Sequence, residues 1–549
     1  MVSSDSNTPN AHEAGMETIS TLFPLLAPLA LWSVALVAWR QPGSNPRAVQ
    51  TTASIACGVS GAVALGTALW VIVVGPVTSP LLGVAGVGFA LRLDALSAVM
   101  LGLVAFMGWV VLRYSRNYLD GDSRHGSFLG VLALTVGSVM LLVLSGNLGH
   151  LVFFWGLTSF FLHRLLLFYS DRRGAVVAAR KKFIVARAGD IALAAAAILL
   201  FFVFGTADLA TLLERAAEAG PAQLGDSRLV AATLLVALSA ALKSAQFPTH
   251  GWLADVMETP TPVSALLHAG IINGGTFLVA RVAEVMLLTP LALNALIIVG
   301  GFTALFGSVV MVTQTSVKGS LAYSSAAHMG FMLLLCGLGA FPVAILHLVA
   351  HSFYKAHAFL ASGSAVEALP MRTRALAVAP GLVTIAAGMV AAVATVMAVG
   401  TVLGVSLVER PVTVGLATVL VVGLTQLWAR GLQEGRASLE VMTTLVLQAG
   451  GVTLAFFGLE LGATAILSGA VPAEANPGAL GLALMTGVVL AFAAVVVIQL
   501  RLPAFASSPT WARIRVHVRN GLYADALFNR LVGALRFPSN SSDLYRSHG

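Results

Sequence analysis

Lys243-Ser-Ala-Gln-Phe-Pro248-Thr-His250-Gly-Trp-Leu-Ala-Asp255-Val-Met-Glu258-Thr-Pro-Thr-Pro262-Val-Ser-Ala-Leu-Leu-His268 sets a lysine, two histidines and two carboxylates between apolar runs. The first run, from Leu229, ends on Lys243, and Pro248 follows five residues later. Proline has no amide to donate and clashes with the preceding turn, so a helix arriving through Lys243 breaks near Pro248. Pro-Thr-Pro at 260–262 restarts it, because proline is favoured in the first turn of a helix. In a bilayer, broken backbone persists only where protein buries it or it lines a wet cavity. A charged lysine at that depth costs about 3 kcal/mol or more, which makes Lys243 a functional candidate.

The composition puts this stretch in lipid. The 549 residues are 58% hydrophobic and 10% charged, with a mean hydropathy of +0.91. A soluble domain is about 25% charged, so a single soluble core is excluded. Apolar runs of about 20 residues mark spanning helices. They fall at 18–39, 50–75, 95–112, 127–145, 149–169, 183–204, 229–256 (broken), 261–284, 291–312, 317–338, 341–361, 377–407, 413–429, 439–468 and 479–500. No β-barrel alternation appears, so the expected fold class is an all-α polytopic membrane protein of about fifteen transmembrane helices. The glycine-rich run 377–407 is a second expected break.

Basic residues set the orientation. Arg113, Arg116, Arg124, the cluster from Arg172 to Arg187, and the tail from Arg501 fall on one face, outnumbering Arg92, Arg215, Arg228, Arg281 and Arg410 on the other. Positive-inside bias makes the basic face cytoplasmic. A net charge of +8 is then a topology signal and not a nucleic-acid signal. The expected divisions are a periplasmic segment 1–17, a membrane domain 18–500 in the cell inner membrane, and a cytoplasmic tail 501–549. Residues 1–16 have no basic start, so no signal peptide is expected. Cys57 and Cys336 sit in apolar runs with no disulfide or metal spacing, and no cofactor is implied. Trp511 to Phe537 mixes charged and apolar residues at helical spacing, which suits either a helix on headgroups or a docking site for a partner.

Several residues can carry protons. A buried lysine loses its charge readily, so Lys243 can load and release a proton, unless it snorkels to the interface. His250 and His268 flank the break and can pass protons either way, or pack against carbonyls. Asp255 and Glu258 are expected to cap Thr259–Val263 and to face its helix dipole. In His347-Leu-Val-Ala-His351-Ser-Phe-Tyr-Lys355 the polar residues recur every four positions and share one helix face at steps of about 6 Å. His328, on the preceding helix, is a candidate lateral link. Zinc on His347 and His351 lacks completing ligands nearby. His163 and Arg164 face either a wet cavity or the headgroups.

Lys-Ser-Ala-Gln-x-Pro…Trp-Leu-Ala-Asp…Pro-Thr-Pro-Val-Ser-Ala-Leu-Leu-His resembles the antiporter-like membrane subunits of respiratory complex I, the subunit L type above all, and the large Mrp antiporter subunits. It also resembles the DabB family of inorganic-carbon transporter subunits. The resemblance, weaker over 85–370, implies two inverted bundles, here about 127–284 and 291–429. It gives Lys243 the central proton-carrying role and places the counterpart of Lys355 on the proton path. Val518-Arg-Asn-Gly-Leu-Tyr-Ala-Asp525 is similar to an end segment of the subunit L type.

Two departures stand out. The glutamate of the family's Trp-Glu motif is replaced in Trp155-Gly156, and the run 377–407 has no ionisable residue where the respiratory family carries an exit lysine. These losses fit DabB better than a redox-driven pump. That family implies flux of H+ or Na+ coupled to CO2 hydration by a large cytoplasmic zinc partner, DabA-like and resembling a carbonic anhydrase. The hydration chemistry would lie in that partner, and this chain would be no enzyme. Thr158 to Leu166 and the basic stretch after it would suit contact with it. A subunit L-type proton pump and an Mrp-type Na+/H+ antiporter subunit are the alternatives.

Overall fold

The structure, a computed structural model, describes residues 21–220, 224–363, 379–405, 410–433, 439–473, 475–505 and 508–534. The expected segment 1–17 and the last residues of the tail lie outside them, as does the Glu258 side chain.

Helices dominate. Asp94 opens Ala95–Tyr118 with a capping box, accepting from the Ser97 amide while Ser97 accepts from its own. Asn147, Asp208, Asp226 and Ser316 accept from the first-turn amides of the helices they precede. Each cap satisfies donors that the helix itself leaves orphaned. Pro262, Pro290 and Pro342 stand in first turns, where a missing amide costs nothing. Among the described residues, the strands are two short antiparallel pairs, Val77–Thr78 with Arg92–Leu93 and Leu82–Val84 with Val87–Phe89, in the connection after Arg47–Val74.

Twelve described helices are long and apolar enough to cross a membrane. The other three expected spans fall on Leu148–Leu166, Ser227–Lys243 and Phe341–Leu360, outside those twelve. Glycines let the helices approach. A Cβ on Gly330 would sit 2.6 Å from the Gly300 carbonyl oxygen, so Pro290–Thr313 and Val317–Gly337 meet backbone to backbone.

Among the described residues of 377–407 the expected break is absent: Leu382–Val402 is one continuous helix. Its glycines serve packing. A Cβ on Gly388 would lie 2.9 Å from the Ala429 nitrogen, and one on Gly400 would touch the Phe457 ring. The break in 229–256 is present but comes earlier than Pro248. Ser227–Lys243 stops at the lysine, and only Gly251–Asp255 is helical beyond it. A second interruption was not expected. The run 261–284 divides into Thr261–Ala269, a tight turn Ile271–Asn273, and Gly274–Arg281.

The two interruptions satisfy each other, as lipid requires of broken backbone. Ser244 Oγ donates to the Ile272 carbonyl at 2.9 Å. Gln246 Nε2 donates to the Ser244 carbonyl at 2.8 Å, and the Phe247 amide donates to Thr303 Oγ1 at 3.1 Å. A Cβ on Gly275 would run into the Ala240 carbonyl, so only glycine lets these helices close up.

Candidate functional site

Lys243 is the last residue of its helix, about 24 Å along the axis from Ser227 at 1.5 Å per residue. It is 7% exposed. Its Nζ donates to Ser159 Oγ at 2.8 Å and to the Trp155 carbonyl at 3.1 Å, and lies 4.3 Å from the Trp155 ring centroid. The ammonium therefore turns inward onto Leu148–Leu166, and snorkelling is excluded. Gly274 packs against its stem, 3.6 Å from Cγ to where a Cβ would stand. A void of about 30 Å³ beside Lys243 is walled mainly by apolar side chains, with Thr158 as its other polar lining. That is room for about one or two water molecules.

The glycine at 156 does not leave the site without an acid. A Cβ there would stand 3.9 Å from Asp190 Oδ2, on the neighbouring helix Arg173–Phe204. Asp190 interacts electrostatically with Lys243 and Lys182, and its Oδ2 lies 2.6 Å from Arg187 NH2. Asp190 falls inside the expected span 183–204, three residues beyond the basic cluster, and sequence reasoning missed it because nothing local marks its partner on another helix.

Lys181 and Lys182 belong to the basic stretch that precedes the expected span 183–204, yet both are buried, because the helix begins at Arg173 and packs its first turns against its neighbours. Lys182 Nζ donates to the Ser159 carbonyl at 3.0 Å. Lys181 Nζ is paired with Asp255 and, at 2.9 Å, with Asp525. Asp255 thus holds Lys181 instead of capping. The next helix, Thr261–Ala269, is preceded by Pro260 with no side-chain cap.

His250 lies beyond the break, away from Lys243. Its ring is enclosed by Phe247, Phe306 and Tyr323, with centroids 5.7, 4.9 and 5.9 Å away. His163 packs on Phe183 at 5.0 Å, and Arg164 is exposed in the last turn of its helix. The segment Pro509–Arg519 and the turn after it dock on this chain's own helices. The Arg519 carbonyl accepts from Gln314 Nε2 at 3.2 Å, and the left-handed Gly521 (φ +58°) turns under Tyr323.

The histidine stripe forms a second polar cluster. His328 and His347 share a hydrogen bond of 2.9 Å between Nδ1 and Nε2. His351 lies 5.1 Å from His328 and 6.5 Å from His347, ring to ring. Lys355 is fully buried, and its Nζ donates to the Leu321 carbonyl at 3.1 Å. His268 joins this group and not Lys243: it stacks on Phe359 at 4.2 Å and faces Lys355 and His351 electrostatically. Between the two centres stands Asn273, which sequence reasoning also missed. Its Nδ2 donates to Ser352 Oγ at 2.8 Å, tying the turn beside Gly274 to the residue after His351. Among the described residues, no group of three or more His, Cys, Asp or Glu is arranged to hold a metal.

At the opposite end of Gly274–Arg281, Arg281 NH1 lies 2.5 Å from Asp94 Oδ2, and Arg92 Nε is 2.8 Å from the same oxygen. Burial pushes the Asp94 carboxyl up, but the two guanidinium groups and the Ser97 amide outweigh it and hold it down at about 2.

A bundle with interrupted helices, a buried lysine at the interruption and a separate lysine–histidine cluster defines an antiporter-like membrane subunit. Residues 145–431 match the NADH:quinone oxidoreductase/Mrp antiporter transmembrane family, and residues 82–129 match the complex I chain 5 N-terminus. The chain belongs to this antiporter family.

Within the family, inorganic-carbon subunits are among its relatives. It is 36% identical over 465 residues to the probable inorganic carbon transporter subunit DabB2 of Halothiobacillus neapolitanus, covering 82% of each chain. It is 40% identical over 288 residues to the corresponding DabB of Hydrogenovibrio crunogenus, covering 52% of this chain and 55% of that one. NADH-quinone oxidoreductase subunit L of Pseudomonas aeruginosa is 39% identical over 281 residues, 51% of this chain and 45% of that one. The match thus spans about half the length of the latter two relatives. Among solved structures, a chain of the Mrp complex of a Dietzia species superposes with TM-score 0.62 at 24% identity, covering 95% of this chain and 61% of that one. A chain of complex I from Thermus thermophilus with bound NADH gives 0.54 at 20% identity, covering 93% and 100%. At such identities the likeness concerns the fold.

Proposed function

We propose that the chain is the proton-conducting membrane subunit of an inorganic-carbon-accumulating complex, seated in the cell inner membrane with its basic face and tail in the cytoplasm. H+ flux through it drives hydration of CO2 by a soluble zinc partner of the DabA kind. The observation that carries the transport reading is Lys243: an ammonium buried at a helix break, held by a hydroxyl and a carbonyl, with an acid on a neighbouring helix. The likeness to the DabB subunits supports the carbon reading, as do the lost acid at Gly156 and the apolar Leu382–Val402.

H+ fits better than Na+. A metal cation beside Lys243 would meet an ammonium and apolar walls, whereas a proton needs only a lone pair and a hydrogen-bonded route. The route continues from Lys243 past Asn273 and Ser352 to His351, Lys355, His268, His328 and His347. In that cluster His328 and His347 share one hydrogen bond, one imidazole donating and the other accepting. His250, Asp255 and the tail hold the break in place on the cytoplasmic side.

The test is growth of a host that requires high CO2, carrying this chain with its soluble partner. Wild type restores growth in air and Lys243→Ala does not. Undiminished rescue by Lys243→Ala, at equal protein level, refutes the reading.

A further inference from the structure

Lys182 is 4% exposed and sits on the same serine as Lys243. Its Nζ donates to the Ser159 carbonyl at 3.0 Å, while Lys243 Nζ donates to the Ser159 hydroxyl at 2.8 Å. One residue thus bridges two buried ammonium groups. Asp190 and Arg187, from the helix that carries Lys182, face both lysines, and His163, from Leu148–Leu166, also interacts electrostatically with Lys182. Arg187 already lies against Asp190, so the pocket holds more positive charge than its one acid balances. A proton shared between the two lysines, one as NH3+ and the other as NH2, has Ser159 as its bridge.

We infer that Lys182 is a second proton carrier, which loads from the basic face and hands its proton to Lys243 through the Ser159 hydroxyl. This rests on the proton-conducting reading above and names a loading group for it. In the hand-over Lys182 swings from the Ser159 carbonyl to the hydroxyl of the same residue. An N–H bond of Lys182 breaks as an O–H bond forms on Ser159 Oγ, and the original O–H proton of Ser159 passes to the lone pair of neutral Lys243. Lys182 ends as NH2, Lys243 as NH3+, and Ser159 is unchanged. The observed Lys243-to-hydroxyl bond is the arrangement after transfer. Rotation of the Ser159 hydroxyl and reprotonation of Lys182 from the basic face complete the cycle.

The experiment measures the rate of H+ flux in membrane vesicles containing the full chain and its partner, for wild type, Lys243→Ala, Lys182→Met, Lys182→Arg, Ser159→Ala and Ser159→Thr, each normalised to intact protein. The relay predicts at least a tenfold loss in Lys182→Met. It predicts the same loss in Lys182→Arg, because a guanidinium keeps the charge and hydrogen bonds but does not give up its proton. Ser159→Ala falls and Ser159→Thr keeps the flux. A purely structural lysine would be rescued by arginine. If Lys182→Arg or Lys182→Met, together with Ser159→Ala, stays within twofold of wild type while Lys243→Ala is dead, the relay is overturned and the conducting role of Lys243 stands. Full flux in Lys243→Ala overturns both.

Discussion

Replacing Lys181 with methionine should release the tail. Lys181 is fully buried, and the two carboxylates it holds, Asp255 beyond the helix break and Asp525 on Ala524–Ala534, are each 31% exposed. Charges about 4 Å apart at an effective dielectric near 20 attract by about 4 kcal/mol. Desolvation of the lysine and partial solvation of the acids reduce the net value, and the variant leaves two carboxylates facing each other, so we expect a loss of about 2–3 kcal/mol. At about 1.4 kcal/mol per tenfold, the undocked fraction rises roughly 30- to 150-fold. Trypsin cleavage after Arg519 reads this directly. The Arg519 carbonyl is engaged by Gln314, and Gly521 lies under Tyr323, so cleavage follows opening. Purified Lys181→Met should be cut at least tenfold faster than wild type, and Lys181→Arg should lie close to wild type. A rate within twofold of wild type in Lys181→Met, with the protein still monodisperse, refutes the clamp.

Arg281→Leu should destabilise the fold by about 3–5 kcal/mol, because it strips the Asp94 carboxylate of its buried partner, and Asp94→Leu in the same chain should recover part of that loss in thermal-aggregation midpoints. Asp94 also sets an acid limit. Its folded-state value of about 2 lies below the ordinary 3.8, so its contribution, about 2 kcal/mol, is present above pH 4 and is lost as pH falls toward 2, as midpoints against pH will show. Gly330→Leu should prevent the approach of Pro290–Thr313 to Val317–Gly337 and cut the yield of monodisperse protein severalfold, whereas leucine at Gly450, which has nothing within 4 Å, should not. Asn273→Leu should slow H+ flux at least tenfold with Lys243 intact, since it removes the hydrogen bond to Ser352, and wild-type flux would remove that link from the route.

The sequence disclosed features whose physics is local. Pro248 and the polar cluster around it declared a broken helix, and the four-residue spacing of His347, His351 and Lys355 declared one helix face, with His328 in reach across it. Glycine was ambiguous, because the same residue loosens a helix or lets two helices touch. Gly388 and Gly400 do the second, whereas Gly270 and Gly274 flank a real interruption. Pairings between distant residues carried no periodic signal. The approach of Asp190 to the glycine at 156, the sharing of Ser159 by Lys182 and Lys243, and the bond from Asn273 to Ser352 all depend on how helices lie side by side. Lys181 and Lys182 were misplaced for a related reason. A run of basic residues reads as a loop until packing shows that its helix begins several residues earlier.

Proton flux itself is the decisive quantity. In vesicles of uniform orientation bearing the chain and the proposed soluble partner, an imposed pH gradient should collapse through wild-type protein and persist with Lys243→Ala at equal abundance. Equal collapse in both would contradict the account.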